Sequence, residues 1–249
     1  MDKAILVGIC YKGTKAELTG PKYDVVNMKK LLVEKFKFDS ENIVTLSEFN
    51  QNELPTKENI LKHLNNAAGD DSLKRLFFYF SGHGSRVKNT MESEKENEDR
   101  DQVICCLGSG YIIDDELHDI FSKFKKGQKV FSIVDSCYSG TISDLNFIYD
   151  SDFNVKKTRR RDVPSNIVQL SSAIDTTVAR GTSAGGIMSQ AFMKIVDRSD
   201  RLTYFDLMTQ LSQIITQWET PFLSSSYKLN KDSTFFCSKR EKPFIKILS

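Results

Sequence analysis

The sequence predicts an α/β fold with a mostly parallel central sheet. Short apolar runs alternate with amphipathic stretches from residue 3 to about residue 145, which is the pattern of strands interleaved with helices. The chain has 249 residues, of which 39% are apolar and 27% charged, so neither a disordered chain nor a coiled coil fits its composition. This length suits one large domain with a buried core, and we expect a single domain over residues 1–249.

Four apolar runs in the first part of the chain predict strands: KAILVGIC (3–10), NIVTL (42–46), LKRLFFYF (73–80) and KVFSIV (129–134). Between them, apolar residues at helical spacing predict one helix with the buried face Val25, Met28, Leu32 and Phe36, and another with Ile60, Leu61, Leu64 and Ala67. A third helix is predicted to begin at Asp114 and Asp115, acidic residues that suit a helix N-terminus, and to bury Leu117, Ile120, Phe121 and Phe124.

Polar and basic segments interrupt this pattern. The charged stretch 89–101 is predicted to be an exposed loop, and the stretch 149–166 a surface linker, with a basic cluster of Lys156, Lys157, Arg159, Arg160 and Arg161. After the linker we expect a strand at 166–173, a Gly-rich turn, two helices and a last short strand at 234–237. The second of these helices would bury the apolar face Phe205, Met208, Leu211, Ile215 and Trp218.

Charge and cysteine content narrow the classes of function. The 35 basic and 33 acidic side chains leave a net charge of +2, which gives no long-range field that favours nucleic acid or membrane as a partner. The apolar N-terminal run is too short for a signal peptide or a membrane span. An odd number of cysteines without an export signal predicts an intracellular, cytoplasmic protein without disulfides, with Cys10, Cys105, Cys106 and Cys237 in the core.

Two reactive side chains follow predicted strands in tight turns that contain glycine. The run LKRLFFYF is followed by Ser81-Gly82-His83-Gly84, and KVFSIV by Asp135-Ser136-Cys137-Tyr138-Ser139-Gly140. The carboxyl ends of parallel strands meet at the edge of the sheet where catalytic groups gather. The sequence therefore predicts that His83 and Cys137 lie at one edge and form a nucleophile and base pair.

The pair suits cleavage of a peptide bond. A thiol attacks as thiolate, and a neighbouring imidazole that takes its proton can then protonate the leaving amine. The backbone N–H groups of Gly84 and Cys137 are candidates to stabilise the oxyanion. Alone, Cys137 would read as a buried small hydrophobe and His83 as polar surface, but the two matched turns favour the catalytic interpretation. His63 and His118 are predicted to lie on polar helix faces, and no catalytic role is expected for them.

The two turns resemble the signature blocks of the metacaspases, a family in the caspase-like clan of cysteine peptidases. Cys137 follows His83 by 54 residues, and the caspase motif around the cysteine is absent. Further blocks that resemble the family are ELTGPKYDV, DQVI, IIDDEL, GIMSQAF and PFLSSS. The resemblance implies a monomeric caspase-like α/β/α sandwich without an N-terminal pro-domain. Residues 1–148 would be similar to a large subunit, 149–166 a linker, and 167–249 similar to a small subunit.

The same resemblance implies a pocket for the substrate residue before the cleaved bond, built by Asp24, Ser81 and Asp135. Two carboxylates in a recessed pocket favour a cationic side chain and repel an acidic one. We therefore expect peptide or protein substrates to be cut after Arg or Lys, and not after Asp. Without the resemblance, Asp24 would also fit an ordinary residue at a helix start.

The family also implies Ca²⁺ as a cofactor, held by Asp101, Asp114, Asp115 and Asp144. Oxygen ligands suit this cation, although loop and helix-start positions explain the first three residues equally well. An enzyme that cuts after Arg or Lys would also be able to cut itself in the basic linker, at Lys156, Lys157, Arg159, Arg160 or Arg161. The alternative is that this cluster is only a solvated charged surface.

The sequence departs from the family pattern at Pro21, where many members have Cys, at Gln102 in place of Glu, and at Tyr138 in place of His. Pro21 can reshape a pocket wall, whereas neither catalytic residue is changed. The rival interpretation is a caspase-fold scaffold that binds partners without cutting, against which the presence of both His83 and Cys137 argues. Another type of peptidase from the same clan is a further alternative, but it leaves the paired pocket carboxylates without a purpose.

Overall fold

The structure, a computed structural model, describes residues 1–50, 53–88, 100–136, 142–158, 162–173, 185–215 and 217–236. The strands are β1 (Asp2–Gly8), β2 (Ile43–Ser47), β3 (Arg75–Ser81), β4 (Gly84–Lys88), β5 (Arg100–Cys105), β6 (Tyr111–Ile113), β7 (Lys129–Asp135), β8 (Phe147–Tyr149), β9 (Val155–Lys157), β10 (Asn166–Ala173) and β11 (Thr220–Ser225). The helices are α1 (Pro21–Glu34), α2 (Lys57–Ala68), α3 (Asp114–Phe121), α4 (Ile187–Arg198) and α5 (Tyr204–Ile215).

An eight-stranded sheet with the order β2-β1-β3-β7-β10-β11-β8-β9 forms the centre of the fold. The first five of these strands run parallel to their neighbours, and the pairs β10-β11, β11-β8 and β8-β9 are antiparallel. Strands β4, β5 and β6 form a separate antiparallel sheet that begins directly after His83.

Each face of the large sheet is covered by helices, which gives three layers. Apolar residues of α1, α4 and α5 pack on one face in a cluster that includes Phe131 and Ile133 of β7. Those of α2 and α3 pack on the other face, with Val130 and Val134. Because successive side chains of a strand point to opposite faces, a strand with both faces covered has apolar residues on each side, as β7 does.

Local sequence explains where several helices begin. Pro21 opens α1, where its missing N–H costs nothing and its fixed φ angle suits the first turn. The side chain of Thr56 accepts a hydrogen bond from the N–H of Asn59 (3.3 Å) and so caps α2. The predicted start of α3 at Asp114 is confirmed.

The α/β fold with a mostly parallel sheet is confirmed, and the predicted strands at 3–10, 42–46, 73–80, 129–134 and 166–173 are all present within two residues of their predicted ends. Four details were wrong. Arg100 and Asp101 belong to strand β5 and not to a loop, and strand β9 lies inside the predicted linker. Residues 234–236 make only an isolated bridge at Thr234. Trp218 lies beyond α5 and is 48% exposed.

Strand β11 was not predicted, and its pairing with β10 and β8 explains why it forms despite its polar serines. His118 was assigned to a polar helix face but is 5% exposed. Its Nδ1 lies 3.3 Å from the carbonyl oxygen of Ser143, because the segment after residue 141 covers this side of α3. Across the described ranges, no helix has both the length and the apolar character needed to span a bilayer.

Candidate active site

The turns that follow β3 and β7 leave the sheet side by side. Ser81 pairs with Asp135 at the last position of the two strands, and the N–H of Gly82 donates to the carbonyl oxygen of Asp135 (3.4 Å). The chain thus brings the His83 turn next to Ser136, the last described residue before Cys137. Cys137 itself lies outside the described residues, so the structure places its strand and not its thiol.

The imidazole of His83 is held in one tautomer by a backbone carbonyl. Its Nε2 lies 2.8 Å from the carbonyl oxygen of Ala16, which can only accept a hydrogen bond. Nε2 therefore donates to this carbonyl, which leaves Nδ1 as the ring nitrogen that can take up a proton. A half-buried imidazole oriented in this way suits a general base.

Tyr11 fixes the turn that carries His83. Its hydroxyl donates to the carbonyl oxygen of Cys105 (2.7 Å) and accepts the backbone N–H of His83 (2.8 Å), and the two rings pack with centroids 4.7 Å apart. Burial raises the pKa of Tyr11 well above its usual value, so this hydroxyl stays protonated and remains a donor. A Cβ at Gly82 would lie 2.9 Å from the Tyr11 hydroxyl, which explains the glycine before His83.

Glu48 holds the loop that supplies these contacts. Its carboxylate accepts the backbone N–H groups of Cys10, Tyr11 (3.0 Å) and Lys12 (2.8 Å). The loop that begins here also carries Ala16, so one acidic side chain at the end of β2 anchors both partners of His83. Sequence reasoning missed Tyr11, Ala16 and Glu48, because two of the contacts use backbone atoms and leave no residue-type signal.

Gly84 begins β4 immediately after His83. It pairs with Ile104 of β5, and the N–H of Cys105 donates to the carbonyl oxygen of His83 (2.9 Å). These bonds connect the turn to the small sheet on its far side. The predicted role of the Gly84 N–H toward an oxyanion stays a prediction.

The three residues predicted to bind a cationic side chain come together. Asp24 lies in the first turn of α1 and is fully buried, and its Oδ2 accepts hydrogen bonds from the Ser81 hydroxyl (3.0 Å) and the Gly186 N–H (2.9 Å). Its other oxygen, Oδ1, is buried without a hydrogen-bond partner among the described residues. Burial, and then the charge of Asp135, raise the pKa of Asp24 to about 7.

Asp135 is half-buried and lies in the same surroundings as Asp24. Its Oδ2 accepts the backbone N–H of Ser189 (3.0 Å) and also the Ser189 hydroxyl. Burial raises the pKa of Asp135 as well. Asp24 and Asp135 are therefore two neighbouring carboxylates whose ionised forms are disfavoured, an arrangement that a cation would relieve.

Two glycines let the backbone approach both carboxylates. A Cβ at Gly185 would collide with Oδ1 of Asp24, and one at Gly186 would collide with Oδ2 of Asp135. Gly185 also has a φ angle of +130°, which other residues rarely adopt. The sequence showed these residues only as a Gly-rich turn, and it gave no sign that they and Ser189 surround the carboxylates.

Three of the four residues predicted to bind Ca²⁺ come together. Oxygen atoms of Asp114, Asp115 and Asp144 lie within 4.8 Å of one another. Burial, and then the negative charge of Asp115, raise the pKa of Asp101. The carboxylate of Asp114 accepts the N–H groups of Gln102 and Asp115 (3.0 Å each), and burial raises its pKa to about 6. An all-oxygen cluster with crowded negative charge fits a hard divalent cation.

The predicted self-cleavage segment is only partly described. Lys156 and Lys157 lie exposed in β9, paired with Ile148 and Phe147 of β8. Arg159, Arg160 and Arg161 lie outside the described residues. Cleavage after either lysine would therefore require β9 to leave its partner strand.

Comparisons with known proteins identify the family of this chain. A family model described as metacaspase, peptidase C14 domain, matches residues 2–146. Metacaspase-1A of Neurospora crassa is 29% identical over 94% of this chain, and metacaspase-1 of Plasmodium falciparum is 35% identical over 94% of it. The chain spans 64% and 41% of the lengths of these two relatives.

Two solved structures share the fold. A protein from Geobacter sulfurreducens superposes with a TM-score of 0.69 at 19% identity, covering 96% of this chain and 97% of its own. The structure of pro-sf-caspase-1 superposes with a TM-score of 0.58 at 12% identity, covering 96% and 91%. At these identities the likeness concerns the fold alone.

The raised pKa of Asp24 predicts how stability depends on pH. The carboxyl group of Asp24 has a pKa of about 7 in the folded protein, against an ordinary 3.8. Its contribution to the free energy of unfolding is therefore full below about pH 4 and is lost as the pH rises through 7. We expect the melting temperature to fall between pH 5 and pH 8.5, and to fall less in Asp24→Asn, with a difference of about 2–4 kcal/mol at the upper pH. Calorimetry across this range, with the exposed Asp152→Asn as control, measures it. Parallel curves for wild type and Asp24→Asn would contradict this assignment.

Proposed function

The chain belongs to the metacaspase family, and from this premise we propose that it is a cysteine endopeptidase that hydrolyses peptide bonds after Arg or Lys. The observation that supports the proposal most directly is the pairing of Ser81 with Asp135. It brings the His83 turn, the strand before Cys137, and one buried and one half-buried carboxylate to one edge of the sheet. Substrates would be peptides or proteins, and the proposed form is a monomer.

In the proposed reaction, Nδ1 of His83 takes the proton of the Cys137 thiol, and the thiolate attacks the peptide carbonyl carbon. The C–N bond breaks as the imidazolium protonates the leaving amine, which leaves an acyl-enzyme thioester. Water, deprotonated by His83, then hydrolyses the thioester and releases the acid. The Ala16 carbonyl would stabilise the imidazolium, and the N–H groups of Gly84 and Cys137 would stabilise the oxyanion.

The preference for Arg or Lys is proposed from the state of the pocket carboxylates. Within the described part of the chain, one oxygen of Asp24 has no hydrogen-bond donor. The pKa values of Asp24 and Asp135 are both raised, so each carboxylate gains from a cation. A guanidinium or ammonium group would donate to these oxygens and favour their ionised form. An aspartate side chain in the same place would add a third negative charge.

A set of fluorogenic peptides tests the proposed reaction. We expect turnover of peptides with Arg or Lys before the reporter group, at least about 100-fold faster than of the matched Asp peptide, because like charges at a buried site cost several kcal/mol. Cys137→Ala and His83→Ala should reduce turnover to background, whereas the exposed Asp152→Asn should leave it unchanged. Turnover of the Asp peptide alone would refute the pocket argument, and no turnover of any peptide would favour the scaffold interpretation.

We also propose that Ca²⁺ binds at Asp101, Asp114, Asp115 and Asp144. Asp144 lies seven residues after Cys137, in a segment packed against His118 of α3. Asp144 adopts the left-handed conformation, with a φ angle of +50°, and its carboxylate lies near those of Asp114 and Asp115. A bound cation would neutralise the cluster and restrain the chain that follows the catalytic cysteine.

Calcium binding has a readout that does not require activity. We expect the melting temperature of the catalytically inactive Cys137→Ala protein to rise by about 5–10 °C when free Ca²⁺ reaches about 100 times Kd. The double variant with Asp115→Asn should lose most of this rise, and the matched Asp152→Asn change should keep it. An equal response in all three proteins would place any calcium effect elsewhere.

We further propose that the enzyme cuts its own basic linker at residues 156–161. The support is the exposed position of Lys156 and Lys157 and the match between the linker cations and the proposed preference. Intact-mass analysis after Ca²⁺ addition should show fragments that end at residues 156–161 in wild type, and one full-length mass in Cys137→Ala. Identical masses for both proteins would end the self-processing proposal.

A further inference from the structure

Glu219 is a buried acid at the same edge of the sheet, and the function proposed above does not use it. It is 7% exposed and stands directly before β11, whereas its neighbour Trp218 is 48% exposed. Its backbone N–H donates to the carbonyl oxygen of Ile215 (2.9 Å), which ends α5 and turns the chain inward. Glutamate is rarely buried without a partner, so its presence needs an explanation.

The register of the sheet places the Glu219 side chain on the face of Asp135. Ser171 of β10 pairs with Val134, so Ser172 lies level with Asp135, and Ser172 pairs with Pro221 of β11. Paired residues point to the same face, and so do residues two apart along a strand. Asp135, Ser172 and Glu219 therefore share the face that is covered by α1, α4 and α5.

The charge state of Glu219 supports this placement. Its pKa is raised to about 8, first by burial and then by the negative charge of Asp135, while a hydrogen bond from Ser172 opposes the shift. Its Oε2 is buried and has no hydrogen-bond partner within the described ranges. None of the ion pairs found there includes Glu219.

We propose that Glu219 is a third acidic residue of the site for the cationic substrate side chain, and that it increases the preference for a charged side chain over a neutral one of the same shape. This rests on the proposed cleavage after Arg or Lys. Asp24, Asp135 and Glu219 each have a disfavoured negative charge, and in Asp24 and Glu219 one oxygen has no donor among the residues that the structure describes. A guanidinium group, with five N–H donors, meets both needs.

Cation binding at these three acids should depend on pH. Without a cation, repulsion keeps part of the three carboxylates protonated near neutral pH, and a bound cation favours their ionised forms. Protons therefore leave the site as a cationic side chain enters. Preference for the cation should rise between pH 6 and pH 8.5, while binding of a neutral side chain should not change.

The alternative is that Glu219 only fills space and bonds to Ser172. In that case glutamine, which has the same size and can also accept this hydrogen bond, would serve equally well. Glu219→Gln separates the two roles, because it removes the charge and keeps the shape. Glu219→Asp keeps the charge on a shorter side chain, and Glu34→Gln makes the matched change at an exposed position of α1.

The experiment compares Arg and citrulline, its uncharged isostere, before the reporter group of one peptide. We expect Glu219→Gln to lower kcat/KM for the Arg peptide by about tenfold at pH 8.5, because one buried charge several ångströms away has an effect of this size. The kcat/KM for the citrulline peptide should not change. Glu219→Asp should recover part of the loss, and Glu34→Gln should match wild type. The rise of the Arg to citrulline ratio with pH should flatten in Glu219→Gln alone.

Two results would overturn the inference. One is an equal loss for both peptides, which indicates a structural role, and the other is a ratio that matches wild type at every pH. Should wild type cut neither peptide, the proposed function fails and a binding measurement decides the inference separately. In that measurement, agmatine should raise the melting temperature of the Cys137→Ala protein at pH 8.5. The rise should be smaller in the double variant that also carries Glu219→Gln. Equal rises in both proteins would reject a role for Glu219.

Discussion

The parallel pairing of β3 with β7 is the constraint on which the candidate site depends. Seven consecutive pairs, from Arg75 with Lys129 to Ser81 with Asp135, make the two strands end at the same level. Phe77 and Phe131 pack beside each other in the core, with ring centroids 5.7 Å apart and the rings tilted by 51°, and this contact opposes a slip in register. A shift of one residue would turn Asp135 to the other face of the sheet, away from Ser189 of α4.

Several acids at this edge of the sheet have no basic partner among the ion pairs of the described residues. Asp24, Asp135 and Glu219 are buried or half-buried, and the positive side chains of the seven ion pairs in the described ranges bind other acids. Burial of unpaired acids lowers the stability of the free protein above neutral pH. The fold tolerates this cost because the apolar layers on both sides of the sheet are extensive.

Local sequence patterns were enough to predict the parallel strands and that β3 and β7 end at the same edge of the sheet. Apolar runs with covered faces are visible without knowledge of partners, and the same holds for acidic residues at the start of α3. Strand β11 and the burial of His118 depend on distant segments, so no local pattern predicted them. The roles of Ala16 and Gly186 were invisible for another reason, since each contributes a backbone atom, and backbone atoms are the same in every residue.

The outermost position of β9 in the large sheet bears on what happens if the linker is cut. Lys156 and Lys157 lie on the edge strand of the sheet. Lysines on an edge strand oppose pairing of its unpaired backbone groups with another chain. Loss of β9 would uncover β8, a short strand with the aromatic residues Phe147 and Tyr149. The cut protein would then present an open, uncharged border, and such a border favours self-association by strand addition.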